Sequence, residues 1–128
     1  PMHEHIFDRE FAHLGHHRLG VVGAGGLHLS AAGLAACPQR PDFAWVGASC
    51  HSADEIVRAG QLDLDYALLG PVLPTPTHPE SAGLGWAEFS RQMHGNTLPV
   101  LALGGMEMAL LAEAQGHGAH GIALMRGW

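Results

Sequence analysis

Five short apolar runs, spaced along most of the chain, constrain its fold more than any other feature. They cover residues 26–30, 45–49, 66–70, 99–103 and 121–125. Runs of this length that are apolar at successive positions are typical of parallel strands covered on both faces, because a strand with one solvated face alternates polar and apolar residues. Their starts lie 19, 21, 33 and 22 residues apart, the pace of repeated strand–helix units. The sequence predicts an α/β domain.

Amphipathic segments between the runs predict helices. The clearest begins at Ser52, where the S-x-x-E pattern with Glu55 forms a capping box, and it extends to Gly60. Two further helices are predicted over residues 86–94 and 107–115, the second ended by Gly116. The segment 70–85, GPVLPTPTHPESAGLG, is too rich in proline and glycine for regular structure and is predicted to be a functional loop.

The first 22 residues are predicted to form a separate, His-rich segment, followed by one domain over residues 23–128. Phe7, Phe11 and Leu14 have helical spacing, which favours a helix over residues 6–19. The histidines of this segment, His3 and His5 among them, allow two interpretations, a zinc site or a solvated tail, and the absence of a defined third ligand favours the tail.

The composition and charge of the chain limit the classes of binding partner that we expect. The chain of 128 residues is 47% hydrophobic and 14% charged, which indicates a folded domain rather than a disordered tail. Its six basic residues are all arginines, its net charge is −6, and the arginines do not cluster, so nucleic acids and anionic membranes are not expected partners. Cys37 and Cys50 lack metal-site spacing and are expected to be reduced thiols in a cytoplasmic protein.

Five motifs follow one another in order: GLHLS, GASCHS, DYALLGPVLPTPTHP, LPVLALGG and GAHGIALMRG. Together they resemble the thiamine phosphate synthase family, including its thiazole tautomerase relatives, the TenI group, from about residue 23 to the end. The ending MRGW resembles the copies fused behind a Nudix hydrolase domain. The resemblance implies a TIM-type (β/α) barrel in which the five runs correspond to strands 4–8. Because a complete barrel takes about 250 residues, we expect a partial barrel of about five parallel βα units.

A phosphate site is predicted at the ends of the last two strands. Glycines at the carboxyl end of a parallel strand let backbone amides approach an anion, and Gly104 and Gly105 occupy such a position. The loop after the last strand contains Arg126 and Gly127, where the resemblance would place a serine in many relatives, and the Arg126 guanidinium would bind the same phosphate. The alternative is that the glycines only form turns and Arg126 is solvated.

His51 is the candidate catalytic residue. In the tautomerases that this segment resembles, the histidine of the S-x-H-S pattern transfers a proton on the thiazole ring, and a pKa of about 6.5 suits acid–base work. The pattern here comprises Ser49, Cys50, His51 and Ser52. Synthase relatives have a similar histidine, so the alternative is a residue without a catalytic role.

The resemblance also implies a diphosphate-binding loop, with Thr75 and Thr77 retained and His78 at the position of the family's lysine. Loss of that permanent cation would weaken the contact by about 1.5–3 kcal/mol. The alternative is a rigid polyproline connector. The family's magnesium acid has no counterpart, since Ala31, Ala32 and Gly33 stand in its place, so we expect no metal site and doubt synthase coupling.

Two functions remain open. One is an enzyme of thiamine biosynthesis that binds a phosphorylated thiazole or pyrimidine, with tautomerase-type chemistry at His51. The other is a noncatalytic remnant that binds a phosphorylated ligand, or the carboxyl-terminal part of a Nudix fusion. In either case five strands leave open edges, which a second copy, the amino-terminal segment or a missing chain portion would cover.

Overall fold

A seven-stranded sheet organises the protein. The computed structural model describes residues 10–14, 17–23, 25–75 and 82–124. The strands are β1 (Glu10–Leu14), β2 (His17–Gly23), β3 (Gly26–Leu29), β4 (Trp45–Cys50), β5 (Tyr66–Leu69), β6 (Val100–Ala102) and β7 (Gly121–Ile122). The helices are α1 (Ala31–Ala36), α2 (Ala53–Gln61), α3 (Gly85–Gln92) and α4 (Leu111–Gly116), the last preceded by a 3₁₀ turn at Met108–Leu110.

The five predicted strands are confirmed as β3 to β7. They pair in parallel, and their spatial order is their order along the chain. A doubly wound sheet reverses its strand order at a switch point, whereas a β/α barrel adds each strand beside the previous one. The described sheet therefore has the order of consecutive barrel strands.

The three predicted helices are confirmed, and one further helix was not predicted. Ser52 precedes α2 and its hydroxyl accepts from the Glu55 amide at 3.3 Å, as the capping box predicts. The other two predicted helices correspond to α3 and, after the 3₁₀ turn, to α4. Helix α1 was not predicted; Ser30 caps it by accepting from the Gly33 amide at 3.0 Å. No helix formed by the described residues is both long and apolar enough to cross a membrane.

The predicted amino-terminal helix is wrong where the structure describes it. Instead of a helix over residues 6–19, strands β1 and β2 form an antiparallel pair, and β2 pairs with β3 through Val22 and Leu27. The unpaired edge of β3 offers a row of hydrogen-bonding groups, and pairing with it outweighs local helical spacing. Residues 1–9 and 15–16 lie outside the described ranges, so the His-rich segment's boundary at residue 22 stays a prediction.

The two faces of the parallel strands differ. The helix-covered face packs against side chains such as Leu34, Ile56 and Phe89. On β3 to β6 its strand residues are all 2% exposed or less: Leu27, Leu29, Val46, Ala48, Cys50, Ala67, Leu69, Val100 and Ala102. The opposite face, which we call the open face, is formed by His28, Gly47, Ser49, Tyr66, Leu68 and Leu101. All of these except the buried Gly47 are only half-buried. The core thus lies between sheet and helices.

Candidate functional site

Four loops meet at the carboxyl edge of the parallel strands. Ser30 follows β3, His51 follows β4, Gly70 follows β5 and Leu103 follows β6. Parallel strands bring all these ends to one edge, where open α/β sheets and barrels build their ligand sites. The predicted site residues within the described ranges therefore belong to one edge of the sheet.

Gly104 and Gly105 form a tight turn that only glycine fits. Both have positive φ, 99° and 70°. A Cβ on Gly104 would lie 2.6 Å from the Pro71 Cα, and one on Gly105 would lie 2.8 Å from the Leu73 Cβ. Among the described residues, none accepts a hydrogen bond from either glycine amide. Two successive unpaired amides at the end of a strand are donors of the kind that bind anions.

The proline-rich loop after β5 is held on both sides. Its Val72 amide donates to the Leu103 carbonyl at 2.8 Å, and the Leu73 amide donates to the Gly104 carbonyl at 3.2 Å. From the other side, the Gly85 amide donates to the Val72 carbonyl at 2.8 Å. The start of this loop is thus fixed against the glycine turn. Thr75 is described and half-buried, whereas Thr77 and His78 lie outside the described residues.

His51 sits at the end of β4 beside a carboxylate. Its backbone amide donates to Glu55 Oε1 at 2.6 Å, and its ring Nδ1 lies 3.6 Å from the same oxygen. The His51 side chain is 59% exposed, so solvent and ligands reach it. The carboxylate lies on the Nδ1 side of the ring, at a distance longer than a hydrogen bond.

A half-buried polar trio on the open face was not recognised from the sequence. His28 Nδ1 lies 2.9 Å from the Tyr66 hydroxyl, and His28 Nε2 lies 2.8 Å from Ser49 Oγ. The His28 and Tyr66 rings also stack, with centroids 5.7 Å apart. Register places these residues together, because His28 and Tyr66 both align with Gly47 across β4. The signal was present as polar residues inside three neighbouring apolar runs.

The trio is uncharged at neutral pH. Burial lowers the pKa of His28 to about 4, so its imidazole is neutral. Burial, assisted by the charge of Asp65, raises the pKa of Tyr66 to about 12, so its phenol stays protonated. Gly47 creates the space for this arrangement, since a Cβ there would lie 2.0 Å from the Tyr66 Cζ. The open face therefore offers hydrogen bonds without a charge.

The described residues do not fit a magnesium ion. Ala31 and Ala32 begin α1 and offer no side-chain oxygen where the family resemblance places an acid. Within the described part of the chain, no three His, Cys, Asp or Glu side chains gather into a group that could hold a metal. A divalent cation takes several converging oxygen ligands, and the described residues gather no such group here.

Sequence-predicted residues fall into two groups. His51 and the pair Gly104–Gly105 share the carboxyl edge, on β4 and β6, which flank β5. At the usual strand spacing those two ends are about 10 Å apart, a distance that a small phosphorylated ring can span. Arg126 and Gly127 lie outside the described residues, so their predicted place beside the glycine pair stays untested.

The sheet order is that of a partial β/α barrel, and the described candidate residues lie at the carboxyl edge of its parallel strands. The family model described as thiamine monophosphate synthase matches residues 16–128. The chain belongs to this family, and the predicted resemblance is confirmed.

Similarity to individual proteins supports the same family assignment. The chain is 37% identical over 112 residues to the thiamine-phosphate synthase of Halorhodospira halophila, covering 82% of this chain and 52% of the relative. It is 34% identical over 109 residues to the thiamine-phosphate synthase of Thermus thermophilus, covering 83% and 52%. A solved thiamine phosphate pyrophosphorylase from Pyrococcus furiosus superposes with a TM-score of 0.59 at 25% identity, covering 79% of this chain and 49% of that one. The chain spans about half the length of these relatives, and the predicted partial barrel is confirmed.

Proposed function

We propose that this chain acts in thiamine biosynthesis by binding a phosphorylated thiazole at the carboxyl edge of its parallel strands. The phosphate binds the amides of Gly104 and Gly105, with Arg126 and Gly127 completing the site from the following loop. The observation that carries the proposal is the glycine turn itself: two positive-φ residues with no room for a side chain and with no described acceptor for their amides. A phosphate oxygen is the acceptor such amides favour.

His51 is the proposed acid–base residue. Tautomerisation removes a proton from one atom of the thiazole and returns one to another, so a group that both accepts and donates is required. The Glu55 carboxylate near Nδ1 holds the ring and leaves Nε2 to exchange protons with the ligand. Exposure of His51 gives the ligand access.

Thr75, Thr77 and His78 are proposed to line the same ligand site from the loop after β5. The backbone bonds that fix Val72 and Leu73 to the glycine turn support this, because they bring the loop's start to the proposed phosphate site. A histidine lacks the permanent charge of a lysine and therefore gives a weaker hold on a diphosphate. A single phosphate therefore suits this loop better than a diphosphate.

Calorimetric titration with the thiazole carboxylate phosphate tests ligand binding. Arg126→Gln is expected to weaken the affinity about tenfold, since a charge-assisted hydrogen bond contributes about 1.5–3 kcal/mol. Arg91→Gln is the matched control, because it removes the same charge from an exposed arginine on α3. Equal affinities for both variants would remove Arg126 from the site, and no heat with the folded wild-type chain would end the binding proposal.

Proton transfer is tested separately by following thiazole tautomerisation. His51→Ala is expected to abolish the rate while leaving the ligand's dissociation constant within about twofold, and Glu55→Gln to lower the rate by about 10–100-fold. His94→Ala, at an exposed histidine after α3, should leave the rate unchanged. A wild-type rate in His51→Ala would exclude this residue from the chemistry.

The second candidate function is noncatalytic binding of the phosphorylated ligand. It is favoured by one observation, the alanines at the start of α1 where a metal-binding acid would stand. Saturable binding without turnover under any metal would support it over the enzyme. The Nudix fusion suggested by the ending MRGW, a cytoplasmic location and a second copy covering the strand edges remain parts of this proposal, each open to test on the full-length gene product.

A further inference from the structure

Trp45 is a large apolar residue that the single chain leaves in water. It begins β4 and is 62% exposed, although the next residue, Val46, is fully buried on the helix-covered face. Successive side chains of a strand point to opposite faces, so Trp45 lies on the same side of β4 as Gly47 and extends the open face toward the amino ends of the strands. A Cβ on Gly26, its partner on β3, would lie 3.3 Å from the Trp45 Cβ, which agrees with this placement. An exposed indole on a half-buried face indicates a contact surface.

The open face carries no charged side chain on β3 to β6. Burial lowers the pKa of His28 to about 4 and raises the pKa of Tyr66 to about 12, so both are neutral at physiological pH. The chain as a whole has a net charge of −6. Acidic surfaces of two copies repel each other, whereas two neutral faces meet without that repulsion. The open face therefore meets the charge requirement of a symmetric interface, in which the same surface is present on both sides.

The two edges of the sheet run in the same direction. Strand β2 is antiparallel to both β1 and β3, so β1 runs parallel to β3 and to the strands that follow it, including β7. Among the described strands, β1 pairs only with β2, and β7 pairs only with β6. A two-fold axis along the strands preserves strand direction, so it brings β7 of each copy beside β1 of the other as a parallel neighbour. Two copies arranged in this way have their open faces inside.

We propose that the open face is a docking surface for a second copy of this chain, with Trp45 as the anchor and a two-fold axis along the strands. A charged partner would find no opposite charge on β3 to β6, whereas a second copy presents an equally neutral face. The arrangement keeps both carboxyl edges at one end of the dimer and both Trp45 side chains at the other. The proposed ligand site stays open, so this inference is independent of the proposed function.

Sedimentation of the full chain over about 1–500 μM tests the proposal, since this range covers the affinities of weak and moderate dimers. The wild-type mass is expected to rise from the 13.5 kDa of one chain to twice that value. Trp45→Glu should raise the dimer dissociation constant at least about thirtyfold, because it removes an anchor from both copies and places like charges at one end. Val57→Glu is the matched control, since it adds the same charge at a 57% exposed residue of α2 and should leave the dimer intact.

The emission of Trp45 gives a second measurement on the same samples. A rising concentration of the wild-type chain should shift tryptophan emission to the blue as the indole leaves water. Trp45→Phe retains an apolar ring, so it should still form the dimer but lose this shift. Circular dichroism of each variant checks that the fold is retained.

Three results would overturn the inference. The first is a wild-type mass that stays at 13.5 kDa over the whole range. The second is a dimer that persists in Trp45→Glu or dissociates in Val57→Glu. The third is a monomer in which Trp45 emission is already blue-shifted at every concentration, since this would show that a segment of the same chain covers the face.

Discussion

The two faces of the parallel strands come from alternating residues of the same short runs, yet they do different work. On the helix-covered face every residue of β3 to β6 is apolar and 2% exposed or less. The open face is formed by the alternate positions of the same strands. There the half-buried side chains of a histidine, a serine and a tyrosine form hydrogen bonds with one another. Close packing on one face supplies stability, and this frees the other face for polar groups that a core would not tolerate unpaired.

Adjacent leucines on β5 test this contrast most strongly. Leu69 is fully buried on the helix-covered face, and Leu68 is half-buried on the open face. Leu69→Ala is expected to lower the free energy of unfolding by about 2–5 kcal/mol, through lost burial and a cavity. Leu68→Ala should cost about 1 kcal/mol, since less apolar area leaves water. Urea unfolding measures the free energy of unfolding of both variants. Equal decreases would contradict the proposed difference in packing between the two faces.

Gly47 tests whether the polar trio depends on backbone space. Gly47→Ala places a methyl group against the Tyr66 ring and is expected to cost about 1–3 kcal/mol of stability by overpacking. The control is Gly60→Ala on α2, where a Cβ meets nothing within 4 Å and an alanine should stabilise the helix slightly. Identical behaviour of the two variants would refute the packing argument.

Acid should destabilise the protein through His28. The pKa of this residue is about 4 in the folded state against 6.5 ordinarily, so the unfolded chain binds the proton first as pH falls. The stabilising contribution of neutral His28 to the free energy of unfolding is complete above pH 6.5. It is lost between pH 6.5 and about 4, by up to about 1.4 kcal/mol per pH unit. In His28→Asn this part of the pH dependence should vanish, and in His94→Asn it should persist. Urea unfolding curves of both variants, recorded at several pH values, test this prediction.

Much of the fold could be predicted because burial leaves a direct mark on sequence. The parallel strands are apolar at successive positions, and the capping pair Ser52 and Glu55 marks the start of α2. Helix α1 was missed because its residues, AAGLAA, carry no polar–apolar period. Strands β1 and β2 were missed because pairing with a distant strand edge leaves no local pattern, while Phe7, Phe11 and Leu14 have helical spacing.

Some residues of the candidate site could likewise be recognised from the sequence, and others could not. His51, Gly104 and Gly105 were recognisable because their motifs stand at strand ends, the positions where ligands bind in parallel sheets. The trio was not recognisable because its members are separated by 21 and 38 residues from His28 and meet only through strand register. Lone polar residues inside apolar runs become informative once the register of neighbouring strands is known.

The central claim is that ligand binds at the carboxyl edge of the parallel strands, and amide NMR during a thiazole phosphate titration tests it directly. The account predicts that the amides of Gly104 and Gly105 shift with ligand, whereas those of Gly95 and Gly118, which also have positive φ but lie away from the carboxyl-edge loops, do not. Amides in the last turns of helices α2 and α3 should likewise stay in place. Shifts confined to the helices or to Gly95 and Gly118, with Gly104 and Gly105 unmoved at saturation, would contradict the account.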